Sequence, residues 1–200
     1  TQALRKDEVD VCILLTEGIV SDILKGNKAK IISGYVKSPL TWGIHSAKDN
    51  PLNYHKNIYD KQYAISRIGS GSHLMAIVDA MDKDQKIADS QFTIINNLKG
   101  AISSLKKRET DVFYWEKYTT KPYVVAGELK RIGEYVTPWP CFVMAASEKI
   151  LLEKPKIISK MLRIIHRSCA IFMEDDDAIK MVSAKYSIPE RDATKWYHAT

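Results

Sequence analysis

The best indicator of architecture in this sequence is the stretch Ser66-Arg67-Ile68-Gly69-Ser70-Gly71-Ser72-His73. The apolar residues 63–65 before it favour a strand, and the amphipathic run 74–78 after it favours a helix. Glycines let the backbone approach a ligand closely, and the first turn of a helix presents unpaired N–H groups at the positive end of its dipole. The stretch therefore predicts a cradle for a small anion or a strongly polar group.

The same turn has a second interpretation, because glycine and serine also make up flexible linkers. Its flanks are apolar and periodic and no shift in composition surrounds it, which favours the cradle. Two phosphate-binding motifs are excluded, because no Gly-Lys-Ser/Thr ends the turn and the G-x-G-x-x-G spacing is missing. The ligand is therefore predicted to be neither ATP nor NAD.

Composition narrows the class of protein. The chain has 200 residues, of which 45% are hydrophobic, enough for one large domain or two small lobes with a core. No apolar run is long enough to span a membrane. The net charge of +6 comes from scattered lysines without an arginine stripe interleaved with aromatics, which indicates a solvated basic surface rather than nucleic-acid binding.

The cysteines indicate neither a disulfide framework nor a metal site. Cys12, Cys141 and Cys169 are isolated in apolar segments, and no C-x-x-C pair occurs. Small buried thiols are expected, and they favour a reducing compartment. No metal, no cofactor and no catalytic residue is predicted.

Two segments of the chain look alike and predict two α/β units. Residues 8–17 and residues 109–116 each give a turn, a continuous apolar run and a polar exit, and helical patterns lie beside both. Such runs are typical of strands that are covered on both faces, as in parallel sheets. Because ligands of open α/β sheets lie beyond the carboxyl ends of the strands, the exits of both segments are candidate ligand contacts.

The residues at these exits are Thr16-Glu17 and Trp115-Glu116. Carboxylates are unexpected beside an anion, so the two glutamates restrict which chemical groups of a ligand could lie next to them. Either they accept hydrogen bonds from an amino or ring N–H group, or they pair with Lys117 or Arg67 at the rim.

Two crossings of the chain predict that one lobe is inserted into the other. The polar stretch 46–61 leads into a middle segment, and residues 132–140 lead back out. We therefore expect a first lobe of residues 1–46 and 137–200 and an inserted second lobe of residues 47–136.

Trp42, Trp115 and Trp139 are candidate aromatic walls for a planar ligand, with the alternative that they are large core residues. Trp139 stands between two prolines at a crossing, which makes it the best candidate to line a cleft. Ser38, in the turn before Pro39, completes the set of candidate ligand contacts.

Three motifs, in this order, resemble one branch of the type 2 periplasmic-binding-protein superfamily: residues 66–73, Trp115-Glu116-Lys117 with residues 120–122, and residues 137–142. The branch holds alkanesulfonate-, taurine- and nitrate-binding proteins and the thiamine-pyrimidine synthases. The resemblance spans nearly the whole chain. It implies a two-lobed α/β fold with mixed sheets flanked by helices and a ligand cleft between the lobes. In that fold Gly69, Ser70, Gly71, Ser72 and His73 look like the anion-binding helix start.

The resemblance also implies a departure. The family opens with a strand-helix-strand unit that carries the first ligand loop, and this chain is expected to start after it. Its last helix also looks cut short. A bacterial member would be periplasmic or lipid-anchored beside an ABC permease, whereas a fungal member would be cytoplasmic without such a partner.

The function that follows is that of a non-catalytic solute-binding protein. Its lobes would close on a small anionic or heterocyclic ligand, similar to a sulfonate or to a thiamine-pyrimidine precursor. The alternatives are an enzyme similar to the pyrimidine synthases and a ligand-sensing domain of a regulator. The synthases use a cysteine-rich iron-binding segment, and this chain has only scattered cysteines. No helix-turn-helix pattern supports a regulator.

Overall fold

A computed structural model describes all of residues 1–200, and the chain divides into two compact units. Unit 1 consists of Thr1–Ser38 and Trp139–Thr200, and unit 2 consists of Pro39–Pro138. The strands are β1 (Val11–Leu15), β2 (Ala29–Val36), β3 (Thr41–Ala47), β4 (Tyr63–Ile65), β5 (Phe92–Ile94), β6 (Val112–Glu116), β7 (Leu129–Val136) and β8 (Phe142–Ser147).

Nine α-helices accompany the strands. They are α1 (Gln2–Arg5), α2 (Thr16–Leu24), α3 (Gly71–Asp82), α4 (Leu98–Lys106), α5 (Lys117–Val125), α6 (Glu148–Glu153), α7 (Pro155–Glu174), α8 (Ala178–Tyr186) and α9 (Glu190–Ala199). Two 3-10 turns lie at His55–Asn57 and Asp89–Gln91. None of the helices is long and apolar enough to cross a membrane.

Unit 1 is built on a three-stranded sheet in the order β1-β8-β2. Both pairings are antiparallel, so β1 does not lie in a parallel sheet here as its apolar run had suggested. The run is instead explained by partial burial on both faces of a short strand. On the central strand β8, Val143 and Ala145 pack with Ile19, and Ala146 packs with Ile158 of α7.

Unit 2 has a mixed five-stranded sheet in the order β5-β4-β6-β3-β7. Strand β4 is parallel to β5 and β6, whereas β3 is antiparallel to β6 and β7. Leu105 of α4 packs with Phe113 of β6 and with Leu129 of β7 in the core. The predicted α/β fold with flanking helices is confirmed, and the mixed sheet lies in unit 2, whereas the sheet of unit 1 is antiparallel.

The chain enters and leaves unit 2 at neighbouring positions. Within unit 2, the backbone N–H of Leu40 donates to Thr137 Oγ1 at 2.9 Å, and the Thr137 N–H donates to the Leu40 carbonyl at 3.0 Å. Within unit 1, the Cys141 N–H donates to the Ser38 carbonyl at 3.0 Å. The first crossing thus lies at residues 38–39, earlier than the boundary after residue 46 that the sequence suggested, because β3 pairs with β6 and β7.

Candidate functional site

The turn between β4 and α3 forms the first candidate surface, which we call the α3 loop (residues 66–73). The chain leaves β4 at Ile65, and Gly69 adopts a φ of +72°, a left-handed conformation that favours glycine. Ser70 is extended with φ −76° and ψ 166°, and the helix begins at Gly71. The predicted order of strand, turn and helix is therefore present.

Side chains of the α3 loop hold its backbone in place. Ser72 Oγ accepts a hydrogen bond from the Ser66 N–H at 3.0 Å and lies 3.0 Å from Ser70 Oγ. Ser70 and Ser72 are 3% and 2% exposed. Their hydroxyls are therefore engaged inside the loop. These contacts also argue against the flexible-linker interpretation.

His73 belongs to the same network. Its Nδ1 accepts a hydrogen bond from the Gly69 N–H at 3.0 Å, so in the neutral ring the proton is on Nε2. The ring meets Phe92 edge-on with centroids 4.6 Å apart. His73 is therefore half-buried and oriented rather than turned fully to solvent.

The α3 loop still presents backbone donors. The N–H groups of Gly71 and Ser72, in the first turn of α3, donate to no acceptor in the chain. They lie at the positive end of a twelve-residue helix. This arrangement can hold an oxyanion by backbone hydrogen bonds without a metal or a charged side chain.

Glu116, the last residue of β6, serves mainly to cap the start of α5. Glu116 accepts hydrogen bonds from the N–H groups of Tyr118 at 2.8 Å and of Thr119 at 2.7 Å, and from the Thr119 hydroxyl at 2.7 Å. Its carboxylate is thus the N-cap of α5. Pairing with Lys117 or Arg67 was one of the two alternatives for this glutamate, and the structure uses its carboxylate as a helix cap instead. Lys117 pairs with Glu134 at 3.2 Å instead.

The two tryptophans of unit 2 differ in exposure. Trp115 is half-buried, stacks on Phe113 with centroids 5.2 Å apart, and packs against the core. Trp42 is 4% exposed, and its indole Nε1 has no hydrogen-bond partner. It lies on β3, between β6 and β7, in register with Glu116 and Tyr135. The structure therefore places Trp42 in the core, which was the alternative to an aromatic wall.

The second candidate surface lies in unit 1 and joins two motifs that are distant in sequence. The indole N–H of Trp139 donates to Glu17 Oε2 at 3.0 Å. Thr16 is fixed beside it, because its hydroxyl donates to the Pro140 carbonyl at 2.5 Å and its N–H donates to the Cys141 carbonyl at 3.0 Å. We call Thr16, Glu17 and Trp139 the α2 cluster.

Ser38 adjoins the α2 cluster through its backbone, since its carbonyl accepts from the N–H of Cys141. Of the twelve candidates, four thus meet in unit 1, five lie in the α3 loop, and Trp115 packs on the core of unit 2. The other two, Trp42 and Glu116, have the structural positions described above.

The carboxylate of Glu17 has an unusual environment. Burial raises its pKa, against the opposing effects of its own backbone N–H and of the Trp139 indole. Oε1 is buried and has no hydrogen-bond partner, whereas Oε2 is held by Trp139. One oxygen of this carboxylate is therefore fixed and the other lacks a donor.

A buried polar network in unit 2 was not predicted. Asp79 of α3 is 0% exposed, and its Oδ2 accepts a hydrogen bond from the Tyr114 hydroxyl and contacts His55 Nε2. The sequence does carry a signal for this network. Asp79 is a charged residue that stands one helical turn after Met75, on the apolar face of α3. His45 was also missed, because it stands inside the apolar run of β3. Burial and the nearby charge of Arg131 lower its pKa to about 4.

Residues 42–135 match the family model for the Ca3427-like PBP, a periplasmic binding protein. The Candida albicans CA3427 gene product, which defines a new family with the generic periplasmic-binding-protein fold, is 32% identical over 99% of this chain, with a TM-score of 0.92. This chain belongs to the Ca3427-like periplasmic-binding-protein family.

Two sulfonate-binding proteins share the fold of this Ca3427-like chain. The alkanesulfonate-binding protein SsuA from Xanthomonas axonopodis pv. citri, bound to MOPS, has a TM-score of 0.78 at 11% identity over 99% of this chain. The periplasmic aliphatic sulphonate-binding protein SsuA from Escherichia coli has a TM-score of 0.69 at 13% identity over 98% of this chain. The predicted resemblance to the type 2 periplasmic-binding-protein superfamily is confirmed.

This chain covers 66% of the CA3427 structure, 68% of the Xanthomonas structure and 67% of the Escherichia coli structure, or about two thirds of each relative. Among curated proteins, no sequence matches the chain.

Proposed function

We propose that this protein is a non-catalytic binding protein for a small anionic solute, and that the α3 loop supplies the anion contacts. The observation that carries the proposal is the pair of unpartnered N–H groups of Gly71 and Ser72 in a loop fixed by its own side chains. A preorganised donor pair loses little conformational entropy when it binds, which favours affinity.

The fold supports the same function. The relatives that share the fold at 11% and 13% identity include proteins named for binding alkanesulfonates and aliphatic sulphonates. A sulfonate carries a single charge spread over three oxygens, and backbone N–H groups at a helix start are suited to such a group. We therefore place sulfonates first among the ligand classes to be tested, with thiamine-pyrimidine precursors second.

The test is to remove one N–H while keeping the helix. A Gly71→Pro substitution deletes the first donor, and proline is well tolerated at the first position of a helix. Ser70 already has the extended backbone that a following proline requires. The matched control is Gly71→Ala, which adds a methyl group and retains the N–H.

Binding of MOPS, taurine, propanesulfonate and 4-amino-5-hydroxymethyl-2-methylpyrimidine would be measured by titration calorimetry. We expect at least one sulfonate to bind the native protein and Gly71→Pro to weaken it about tenfold, since a hydrogen bond to a charged group contributes about 1.5 kcal/mol or more. Gly71→Ala should bind within about twofold of the native protein. Equal binding by both variants would show that the anion contacts lie elsewhere.

A further inference from the structure

We propose that one side of α7 is a docking surface for an acidic amphipathic helix of a partner protein. The surface lies wholly in unit 1 and consists of an apolar row beside a cationic row on the same helix. The inference goes beyond the proposed solute-binding function and does not depend on it, because none of these residues belongs to the α3 loop or the α2 cluster.

The apolar row consists of three isoleucines at seven-residue intervals, Ile157, Ile164 and Ile171, which we call the isoleucine row. Their side chains are 60%, 56% and 57% exposed. Seven residues make nearly two helical turns, so the three side chains follow one line about 21 Å long on the helix surface. Single exposed apolar side chains are ordinary, but an exposed apolar surface bordered by polar residues is typical of an interaction site.

A different side of α7 attaches the helix to its sheet. Ile158 is 6% exposed and packs with Ala146 of β8, and Met161 and Leu162 pack against the same cluster. At 3.6 residues per turn, the isoleucine row lies roughly 100–140° around the helix from Ile158. The helix therefore has one apolar side that the core of unit 1 uses and a second that stays exposed.

A cationic row borders the isoleucine row. Its four members are all exposed, and they are Lys156, Lys160, Arg163 and Arg167. No ion pair of the chain includes any of the four, and α7 contains no acidic residue before Glu174. The positive charge of this side is therefore not neutralised within the chain.

The two rows together have the pattern of one helix of a coiled coil. With the isoleucines at the d positions of successive heptads, Met161 and Ser168 stand at a positions. Ser168 is small and exposed, so a larger apolar side chain of a facing helix can pack beside it. Lys160 and Arg167 stand at g positions, where cations pair with carboxylates of the facing helix. Charge complementarity therefore specifies an acidic partner.

Two other occupants fit this surface less well. In a pair of two copies of the chain, the g cations would face either one another or the apolar e positions Ile158 and Ile165, so no carboxylate would receive them. A lipid surface requires a broad apolar side, and a helix that buries one side usually has an apolar stripe at least about 100° wide. The isoleucine row spans only about 40°.

The experiment measures binding of a synthetic helical peptide to the intact chain. The probe is a fluorescein-labelled peptide of about three heptads, with leucine at its a and d positions and glutamate at e and g. A second peptide has lysine in place of every glutamate. Like charges at e and g keep each peptide from pairing with itself, and fluorescence anisotropy gives the dissociation constants.

Two variants of α7 and two matched controls separate the contributions. Ile164→Ser shortens the isoleucine row, and the double variant Lys160→Glu, Arg167→Glu reverses the charge at both g positions. Leu24→Ser changes an 82% exposed apolar side chain of α2, and Lys185→Glu reverses an exposed cation of α8. All the changes are at exposed side chains, so the melting temperatures should stay close to that of the native protein.

We expect the native protein to bind the glutamate peptide about tenfold or more tightly than the lysine peptide. Ile164→Ser should weaken this binding about tenfold, because one large apolar side chain is no longer buried. The charge-reversed double variant should prefer the lysine peptide. Both controls should bind within about twofold of the native protein. In about 1 M salt, which screens charges beyond about 3 Å, the preference for glutamate should shrink.

The proposal is overturned if the native protein binds neither peptide, binds both equally, or keeps its affinity in Ile164→Ser. Sedimentation velocity and co-sedimentation with vesicles of phosphatidylcholine and phosphatidylserine test the other occupants. A dimer that dissociates in Ile164→Ser would assign the isoleucine row to a second copy of the chain. Vesicle binding that the same variant loses would assign it to a membrane surface, and either result would replace the proposed partner.

Discussion

Asp79 on α3 and Tyr114 on β6 are joined by a hydrogen bond from the phenol to the fully buried carboxylate. Tyr114 in turn stacks on Tyr63 of β4, with ring centroids 6.3 Å apart. The helix that begins at the α3 loop is thus fastened to two strands of its sheet. The position of the loop is set by the core of unit 2 as well as by its own serines.

The first prediction concerns this buried carboxylate. Asp79→Ala leaves the Tyr114 hydroxyl and His55 without their common acceptor, and we expect it to lower the free energy of unfolding by about 3 kcal/mol. Tyr114→Phe removes one donor and should cost about 1 kcal/mol. Urea denaturation measures both. Asp60→Asn, at an exposed ion pair with Lys61, should change stability by about 0.5 kcal/mol or less. An Asp79→Ala protein as stable as the native one would contradict the role assigned to the network.

The second prediction concerns acid sensitivity. Desolvation, assisted by Arg131, lowers the pKa of His45 to about 4, and its ordinary value is 6.5. Between these values the unfolded chain binds a proton at this position and the folded chain does not. The free energy of unfolding should therefore fall as the pH falls from about 6.5 to about 4, with a contribution of about 3 kcal/mol from His45.

Denaturation at a series of pH values measures this slope. His45→Gln can keep polar contacts with Thr120 and the Phe113 carbonyl but does not titrate, so its slope between pH 6.5 and 4 should be shallower. Identical slopes for the two proteins would show that another group controls acid unfolding.

The third prediction compares two glycines. A Cβ on Gly100 would lie 2.1 Å from the Ile95 carbonyl oxygen, so Gly100→Ala should destabilise unit 2 by about 1–3 kcal/mol. A Cβ on Gly18, inside α2, would meet nothing within 4 Å. Gly18→Ala should therefore stabilise the protein by about 0.5–1 kcal/mol through helix propensity. Thermal denaturation distinguishes the two, and equal effects would contradict the packing argument.

The fourth prediction concerns Glu17 in the absence of ligand. Because its pKa is raised by burial, the folded chain binds this proton more tightly than the unfolded chain does. The stabilisation is complete below the ordinary pKa of 4.5 and is lost as the pH rises through the folded value. Glu17→Gln should consequently melt at a higher temperature than the native protein at pH 7 and at nearly the same temperature at pH 3.5. A lower melting temperature at pH 7 would mean that the carboxylate stabilises the fold.

The sequence was sufficient to predict the strand, turn and helix start around the α3 loop. Residues 63–65 favour a strand, residues 74–78 favour a helix, and Gly69 permits the turn between them. It also placed Thr16, Glu17 and Trp139 among the candidates, although nothing in the spacing showed that they meet. The role of Glu116 could not be predicted from the sequence, because a carboxylate at the end of a strand can either face a ligand or cap the following helix. The N–H groups of residues 118 and 119 determine that it caps.

The remaining differences come from tertiary pairing. Trp42 was a candidate aromatic wall with core burial as the alternative, but β3 lies between β6 and β7, and its residues 42–47 are buried. The same pairing moved the first crossing to residues 38–39. Register between distant strands has no local signal, so neither result could be obtained from the residues around β3 alone.

Two hydrogen bonds between Leu40 and Thr137, one of them accepted by the Thr137 hydroxyl, bring the two ends of unit 2 together. A segment whose ends meet can be excised, expressed alone or exchanged between homologous scaffolds with little disturbance to its host. Residues 39–138 therefore form a compact segment of the kind that tolerates transfer as a whole, with the α3 loop inside it.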